Sequence, residues 1–274
     1  GYIGEFGNEH VFNSGYTQYI SAVALDSTHI CVSYQDYGNS SYGTSIIGTI
    51  SGSSISWGSE QVFNSAQTDF ISAVVLDSTH ICVSYRDIGN SSYGTSIIGT
   101  ISGNSISWGT ESVFNSANMF YISAVALDST HICVSYDDEG NSGYGTSRIG
   151  TISGSSISWG SELVFNTAGT YNISTVKLDS THICISYRDN GNSDYGTSII
   201  GTISGSSISW GTEQVFSAGT TSRISAVLLD STHICISYTD DSNSSYGTSI
   251  IGTISGTSIS WGTESVFNWY YFWF

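Results

Sequence analysis

The chain has 274 residues, 39% of them hydrophobic, enough for a packed core, yet only 10% are charged. With 22 acidic against 5 basic residues and a net charge of −17, the surface cannot neutralise a phosphate backbone, so nucleic acid and anionic membranes are poor partners and neither is expected. No apolar run of about 18 residues occurs, so no membrane-spanning helix is expected, and the start at Gly1, without Met or a basic-then-apolar leader, reads as a processed or partial product.

In chain order, the first recognisable element is FGNEHVFN (Phe6–Asn13), which returns as WGSEQVFN (Trp57–Asn64) 51 residues later. Next comes ISAVALD (Ile20–Asp26), small and β-branched, as a strand. The Asp-Ser-Thr turn follows, then HICVSY with the alternation of a second strand. DYGNS is a loop, since Gly and Asn accept left-handed backbone. YGTSIIGTIS makes a third strand, GSS a turn, and ISWGSEQVFN a fourth. The nine residues DSTHICVSY recur at Asp26, Asp77 and Asp128, and with Ile for Val at Asp179 and Asp230.

Five 51-residue units of four strands, each with one Trp, no Pro and no helical period, predict an all-β protein, a five-bladed β-propeller of four-stranded antiparallel blades. The fourth-strand motif occurs six times against five of everything else. Residues 1–13 are therefore a surplus fourth strand, either the strap that closes the ring or a strand donated to a neighbour. Residues 14–268 form the five blades, and 269–274 form an aromatic tail, WYYFWF. Head-to-tail self-association into fibres is the resulting expectation, with Phe6, Val11, Phe12, Trp269, Phe272 and Trp273 as its residues.

The five Cys (Cys31, Cys82, Cys133, Cys184, Cys235) hold one slot, too far apart between copies for disulfides and without metal-ligand spacing; they read as small buried hydrophobes. The turns LDSTH and SGSSIS hardly vary. The opposite face diverges, in SGYTQY, SAQTDF, SANMFY, TAGTYN and SAGTTSR and in QDYGNSS, RDIGNSS, DDEGNSG, RDNGNSD and TDDSNSS. This variable face is the candidate ligand surface.

Its oxygen-bearing pairs are Asp36/Asn39, Asp87/Asn90, Asp138/Asn141, Asp189/Asn192 and Asp240/Asn243. They lack the Asp ladder of calcium loops, so turn capping is the leading reading and no metal or cofactor is expected. Aromatics there (Tyr16, Phe70, Phe120, Tyr171) are suited to stacking on sugars but share no single register. Asn39, Asn90, Asn172 and Asn243 lie in N-x-Ser sequons as candidate glycosylation sites.

Five identical Asp-Ser-Thr-His turns are a hairpin device, not a triad. SGSSISW resembles the Asp-box turn of sialidases but lacks its Asp. The innermost strands carry no pair of unlike carboxylates, and Lys177 is their one symmetry-breaking charge. An enzyme is not expected.

The unit ALDSTHICVSY-x-D-x-GNS-x-YGTSIIGTISGSSISWG-x-E-x-VFN resembles repeats of secreted microbial β-propeller proteins over Phe6–Asn268. That resemblance implies the fold and an extracellular or cell-surface setting. The blade count is similar at fold level to tachylectin-like five-bladed lectins. The leading expectation is a structural or adhesive module; the alternative is a multivalent lectin with one site per blade, its partners glycans.

Overall fold

The computed structural model describes residues 8–267. Phe6, Trp269, Phe272 and Trp273 lie outside these described residues. The chain is all-β and antiparallel, and among the described residues its only helical pieces are single 3-10 turns. It divides into two compact units. One runs to Asn118 and includes Asp128–Thr130 and Ile152–Ser158; the other holds Met119–Leu127, His131–Thr151 and the chain from Trp159.

In the first unit, Thr17–Ala24, His29–Asp36 and Tyr42–Ser51 form a meander, in the register Val23↔Cys31 and Cys31↔Ile47. Both faces of the second strand are buried, so its alternation is not apolar against polar. Its one small polar residue, Ser33, is satisfied across the ladder by Ser45 at 2.8 Å. The same pair recurs as Ser84/Ser96 in this unit and as Ser135/Ser147, Ser186/Ser198 and Ser237/Ser249 in the other.

The fourth strand differs from its expected single run. Ser54–Trp57 pairs with the outer end of the third strand, Gly58–Glu60 leaves the ladder, and pairing resumes at Gln61. The interruption aims a carboxylate inward: Tyr34 donates to Glu60 Oε1 at 2.7 Å. Tyr85 and Glu111 repeat this at 2.8 Å, Tyr187 and Glu213 at 2.7 Å, and Tyr238 and Glu264 at 2.6 Å. A buried hydroxyl must find an acceptor, which is why W-G-x-E recurs with the Tyr.

The stretch SAQTDF, read as a loop, is strand. Gln61–Asp77 is continuous, pairing first with the third strand before it and then, from Thr68↔Asp87, with the second strand after it. Leu163–Lys177 and Gln214–Asp230 do the same in the second unit. Asn64 holds the changeover by donating to Thr68 Oγ1 and Asp87 Oδ1, both at 3.0 Å.

Successive repeats pack through an aromatic clasp. Phe63 lies 5.1 Å from Tyr85 and 5.5 Å from Trp108 of the next repeat. Its ring also covers Gly43, where a Cβ would come within 2.4 Å of it. In the second unit Phe165 clasps Tyr187 and Trp210, and Phe216 clasps Tyr238 and Trp261. Cys31, Ile47, Ile71, Ile81, Val83 and Ile97 fill the junction in the first unit. Cys31, Cys82, Cys133 and Cys184 are free and fully buried, as small hydrophobes are.

Of the two end copies of the fourth-strand motif, the C-terminal one pairs with the last third strand, Phe267 opposite Gly247. No strand is formed by residues 8–16; Phe12 instead packs on Tyr34 at 5.1 Å and Trp57 at 5.6 Å. Val11 beside it is exposed.

Candidate functional site

The invariant elements are engaged in their own turns. Asp26 accepts from the N–H and hydroxyl of Thr28 and meets His29 Nδ1 at 2.9 Å. Hydrogen bonds from Thr28, then His29, hold its carboxyl down at about 2. Asp77/His80, Asp179/His182 and Asp230/His233 repeat the arrangement. Between successive turns runs a shallow groove of about 200 Å³, lined by Leu25, Asp26, His29, Thr79, Ile101 and Gly103, and an equivalent one follows it at Leu76, Asp77 and His80.

On the other face, Asp36, Asp87, Asp138, Asp189 and Asp240 are buried and cap the following 3-10 or hydrogen-bonded turn. Asp36, Asp87 and Asp189 also accept from Asn13, Asn64 and Asn166. Their Oδ1 atoms are thus committed to the fold. The companions Asn39, Asn90, Asn141, Asn192 and Asn243 are exposed at the tips. Among the described residues no group of three or more His, Cys, Asp or Glu is placed to hold a metal. Of the sequons, Asn39, Asn90 and Asn243 lie at these tips. Asn172 is half-buried, and its side-chain oxygen accepts from Arg223 N at 3.0 Å.

A feature that sequence reading missed lies at the start of each first strand. The ladder slips between Gln18 and Ser21, and at the matching place in every repeat. At each slip one residue adopts left-handed backbone: Tyr19 (φ 49°), Phe70 (50°), Tyr121 (53°), Asn172 (53°) and Arg223 (51°). The five are 51 positions apart. For bulky side chains this conformation is strained by about 1–3 kcal/mol, and such strain clusters at sites of function.

Around two of these slips an arginine, an aromatic ring and a carboxylate come together. In the first unit, Arg86 Nη2 donates to Asp69 Oδ2 at 2.6 Å, and Gln35 Nε2 to Asp69 Oδ1 at 2.7 Å. The Arg86 guanidinium lies over the Phe70 ring, 5.0 Å from its centroid, and Tyr19 leans on Phe70 at 5.0 Å. In the second unit, Arg188 occupies the slot of Arg86. It lies 5.5 Å over Tyr171, donates from Nε to Asp194 at 2.8 Å, and holds that carboxyl below its usual value. Tyr121 meets Tyr171 edge-on at 5.8 Å. Asp137 takes the same slot in the third repeat. It is fully buried, and neither oxygen has a hydrogen-bond partner among the described residues. Burial, then Glu139 and Asp138, push its carboxyl up to about 7. Lys177, the odd charge of the first strands, donates to the Leu127 carbonyl at 2.5 Å.

The aromatics Tyr16, Phe70, Phe120 and Tyr171 therefore separate. Phe70 and Tyr171 belong to these clusters, Phe120 adjoins Tyr121 at 6.4 Å, and Tyr16 meets Tyr37 edge-on at 5.0 Å.

No protein-family model and no curated protein matches the sequence. Solved structures do match. A fungal lectin of Aleuria aurantia, described as a six-bladed β-propeller with a novel fucose recognition mode, superposes with TM-score 0.62 at 16% identity, over 98% of this chain and 85% of that one. AofleA of Arthrobotrys oligospora gives 0.60 at 12%, over 91% and 70%. The microbial sialidase Hz136 gives 0.52 at 12%, over 91% and 58%. At these identities the likeness is one of fold: the chain has the architecture of β-propeller proteins.

Proposed function

We propose that the chain is a non-enzymatic extracellular carbohydrate-binding module, a β-propeller whose five repeats serve as five blades. The carrying observation is that the matched arginines of the second and fourth repeats each lie over an aromatic ring and pair with a carboxylate, Arg86 with Phe70 and Asp69, and Arg188 with Tyr171 and Asp194. An aromatic face takes the apolar side of a sugar ring. The guanidinium, oriented by its carboxylate, offers fixed donors to hydroxyls, the usual mix of apolar wall and a few placed polar groups.

A neutral ligand also suits a surface of net charge −17. The fold likeness to a lectin solved in complex with α-methyl-L-fucoside supports the same reading, so carbohydrate binding takes precedence over the purely structural or adhesive role. Two such sets per chain make the module bivalent rather than one site per blade, and weak sites gain by avidity. The invariant-face groove is the second location to weigh, because it recurs between successive repeats. Asn39, Asn90 and Asn243 stand at exposed tips, and we propose them as glycan acceptors.

The test is a glycan array with the intact protein, followed by Arg86→Ala and Arg188→Ala singly and together. Each single variant should weaken binding, and the pair should lower affinity at least about tenfold, as losing a charged hydrogen bond of about 1.5–3 kcal/mol implies. A folded protein that binds no glycan, or a double variant that binds as well as wild type, refutes the assignment.

A further inference from the structure

Each arginine set is flanked, from the repeat before it, by an oxygen acceptor that the fold leaves unused. In the first unit this is Gln35, which is 1% exposed. Its Nε2 donates to Asp69 Oδ1 at 2.7 Å, and because a carboxylate only accepts, the orientation of the amide is fixed. Its Oε1 is buried with no hydrogen-bond partner among the described residues. In the second unit the same slot holds Asp137, fully buried, with neither oxygen partnered among the described residues. Position 143 is placed to supply a partner, since a Cβ there would stand 3.2 Å from Asp137 Oδ1. The other copies carry Ser41, Ser92, Asp194 and Ser245 at that place, and the third repeat carries Gly143. Tyr121 ties Asp137 to the Arg188 set: burial and then the Asp137 charge push its hydroxyl up, while Arg188 opposes them. Buried polar groups are ordinarily satisfied. Two unsatisfied acceptors in one slot, each beside an arginine set, point to a donor from outside the chain.

We propose that Gln35 and Asp137 are the hydroxyl acceptors of the two sites, so that binding in the second unit is coupled to loss of the Asp137 proton while binding in the first is not. This rests on the carbohydrate reading and narrows the ligand to a neutral saccharide that donates one hydroxyl beside another that accepts from the arginine. The way in is the slip in the ladder. Tyr19 follows Gln18, the ladder partner of Gln35, and Tyr121 follows Phe120, the partner of Asp137. Both tyrosines are held in left-handed backbone, and a ligand that turns them outward relieves that strain as it reaches the acceptor.

The groups facing Asp137 set the direction of the coupling. Asp138 and Glu139 come from its own strand end and turn, Tyr121 from the first strand, and Tyr171 with Arg188 stand beyond Tyr121. Gly145, opposite it on the third strand, brings no charge. Burial, then Glu139 and Asp138, hold its carboxyl up at about 7, so the free protein keeps this proton below neutral pH. A hydroxyl donating to the carboxylate favours the ionised form and lowers that value. Binding therefore releases a proton between the lowered value and about 7. Across that window affinity climbs with pH by up to about tenfold per unit, then levels. Gln35 has no proton to lose.

The test is isothermal titration calorimetry from pH 5 to 8.5, in buffers of different ionisation enthalpy, with the methyl glycosides of glucose, galactose, mannose, fucose and N-acetylglucosamine. Arg188→Ala leaves the first-unit site dominant and Arg86→Ala the second, each shown folded by circular dichroism. The Arg86→Ala protein should bind more tightly as pH rises to 7, with an enthalpy that depends on the buffer because a proton is released. The Arg188→Ala protein should show neither effect. Adding Asp137→Asn to Arg86→Ala should flatten the affinity profile and remove the buffer dependence. An acid with only a structural role would lower stability as pH rises and give no gain in affinity. Adding Gln35→Met to Arg188→Ala should weaken first-unit binding equally at every pH, and a monodeoxy glycoside lacking the donated hydroxyl should bind the two proteins alike. Second-unit binding that ignores pH, a buffer dependence that survives Asp137→Asn, or first-unit binding unchanged by Gln35→Met overturns the proposal and leaves the carbohydrate reading standing. A folded wild type that binds none of the glycosides overturns both.

Discussion

Asp137→Asn should make the pH dependence of stability flatter. In the fold this carboxyl is buried without a hydrogen-bond partner among the described residues, and burial with Glu139 and Asp138 raises it from 3.8 to about 7. The folded state therefore holds a proton that the unfolded chain releases. Its stabilising contribution is complete below pH 3.8, declines as pH rises through the window from 3.8 to about 7, and is gone above it. At about 1.36 kcal/mol per pH unit the window sets a ceiling of about 4 kcal/mol. Solvent screening near the exposed turn at Glu139 reduces that to about 2 kcal/mol. Asn keeps the shape and cannot ionise. Urea unfolding of both proteins at several pH values from 4 to 8 reads the difference directly. Wild type should lose about 2 kcal/mol more than the variant across the window. Parallel curves would refute the claim that Asp137 is buried as an acid.

Three further outcomes test the packing. Phe216→Ala, which empties the clasp on Tyr238 and Trp261, should cost about 3–5 kcal/mol in chemical denaturation. Gly196→Ala should also destabilise, by about 1–3 kcal/mol, since its Cβ would lie 2.3 Å from the Phe216 ring; a neutral result for either would place the ring elsewhere. In native protein iodoacetamide should modify Cys235 first, because it is partly exposed. Burial pushes the Cys82, Cys133 and Cys184 thiols up to about 12 and Cys31 to about 11, which leaves little thiolate to react. Mass spectrometry showing even labelling of all five would contradict this.

Much of the fold is legible in the repeat. Period, turn residues and alternation locate the first three strands, and capping by Asp36 and its equivalents follows from Asp placed ahead of a Gly-Asn turn. The interruption at Gly58–Glu60 is not legible, because its cause is a Tyr34 hydroxyl on another strand. Nor is the continuity of Gln61–Asp77: the small residues Ser65 and Ala66 look like a loop, while the register is held by Asn64 reaching Asp87.

The candidate site was hidden for a related reason. Phe70 and Tyr171 stand one position apart within the repeat, so neither matches the other by spacing. A bulge with left-handed backbone at Phe70 and Asn172 lets neighbouring positions serve one place. The signal within reach was the slot of Gln35, Arg86, Asp137, Arg188 and Thr239, where a strand otherwise uniform among copies varies in charge.

The most direct measurement is the number of sugar sites per chain, by calorimetric titration of a glycan identified on the array. Two sites are predicted, both weakened at least about tenfold in the protein carrying Arg86→Ala and Arg188→Ala. A stoichiometry near five, unaffected by those substitutions, would move binding to the groove beside Asp26 and His29, and no binding at all would contradict a carbohydrate function.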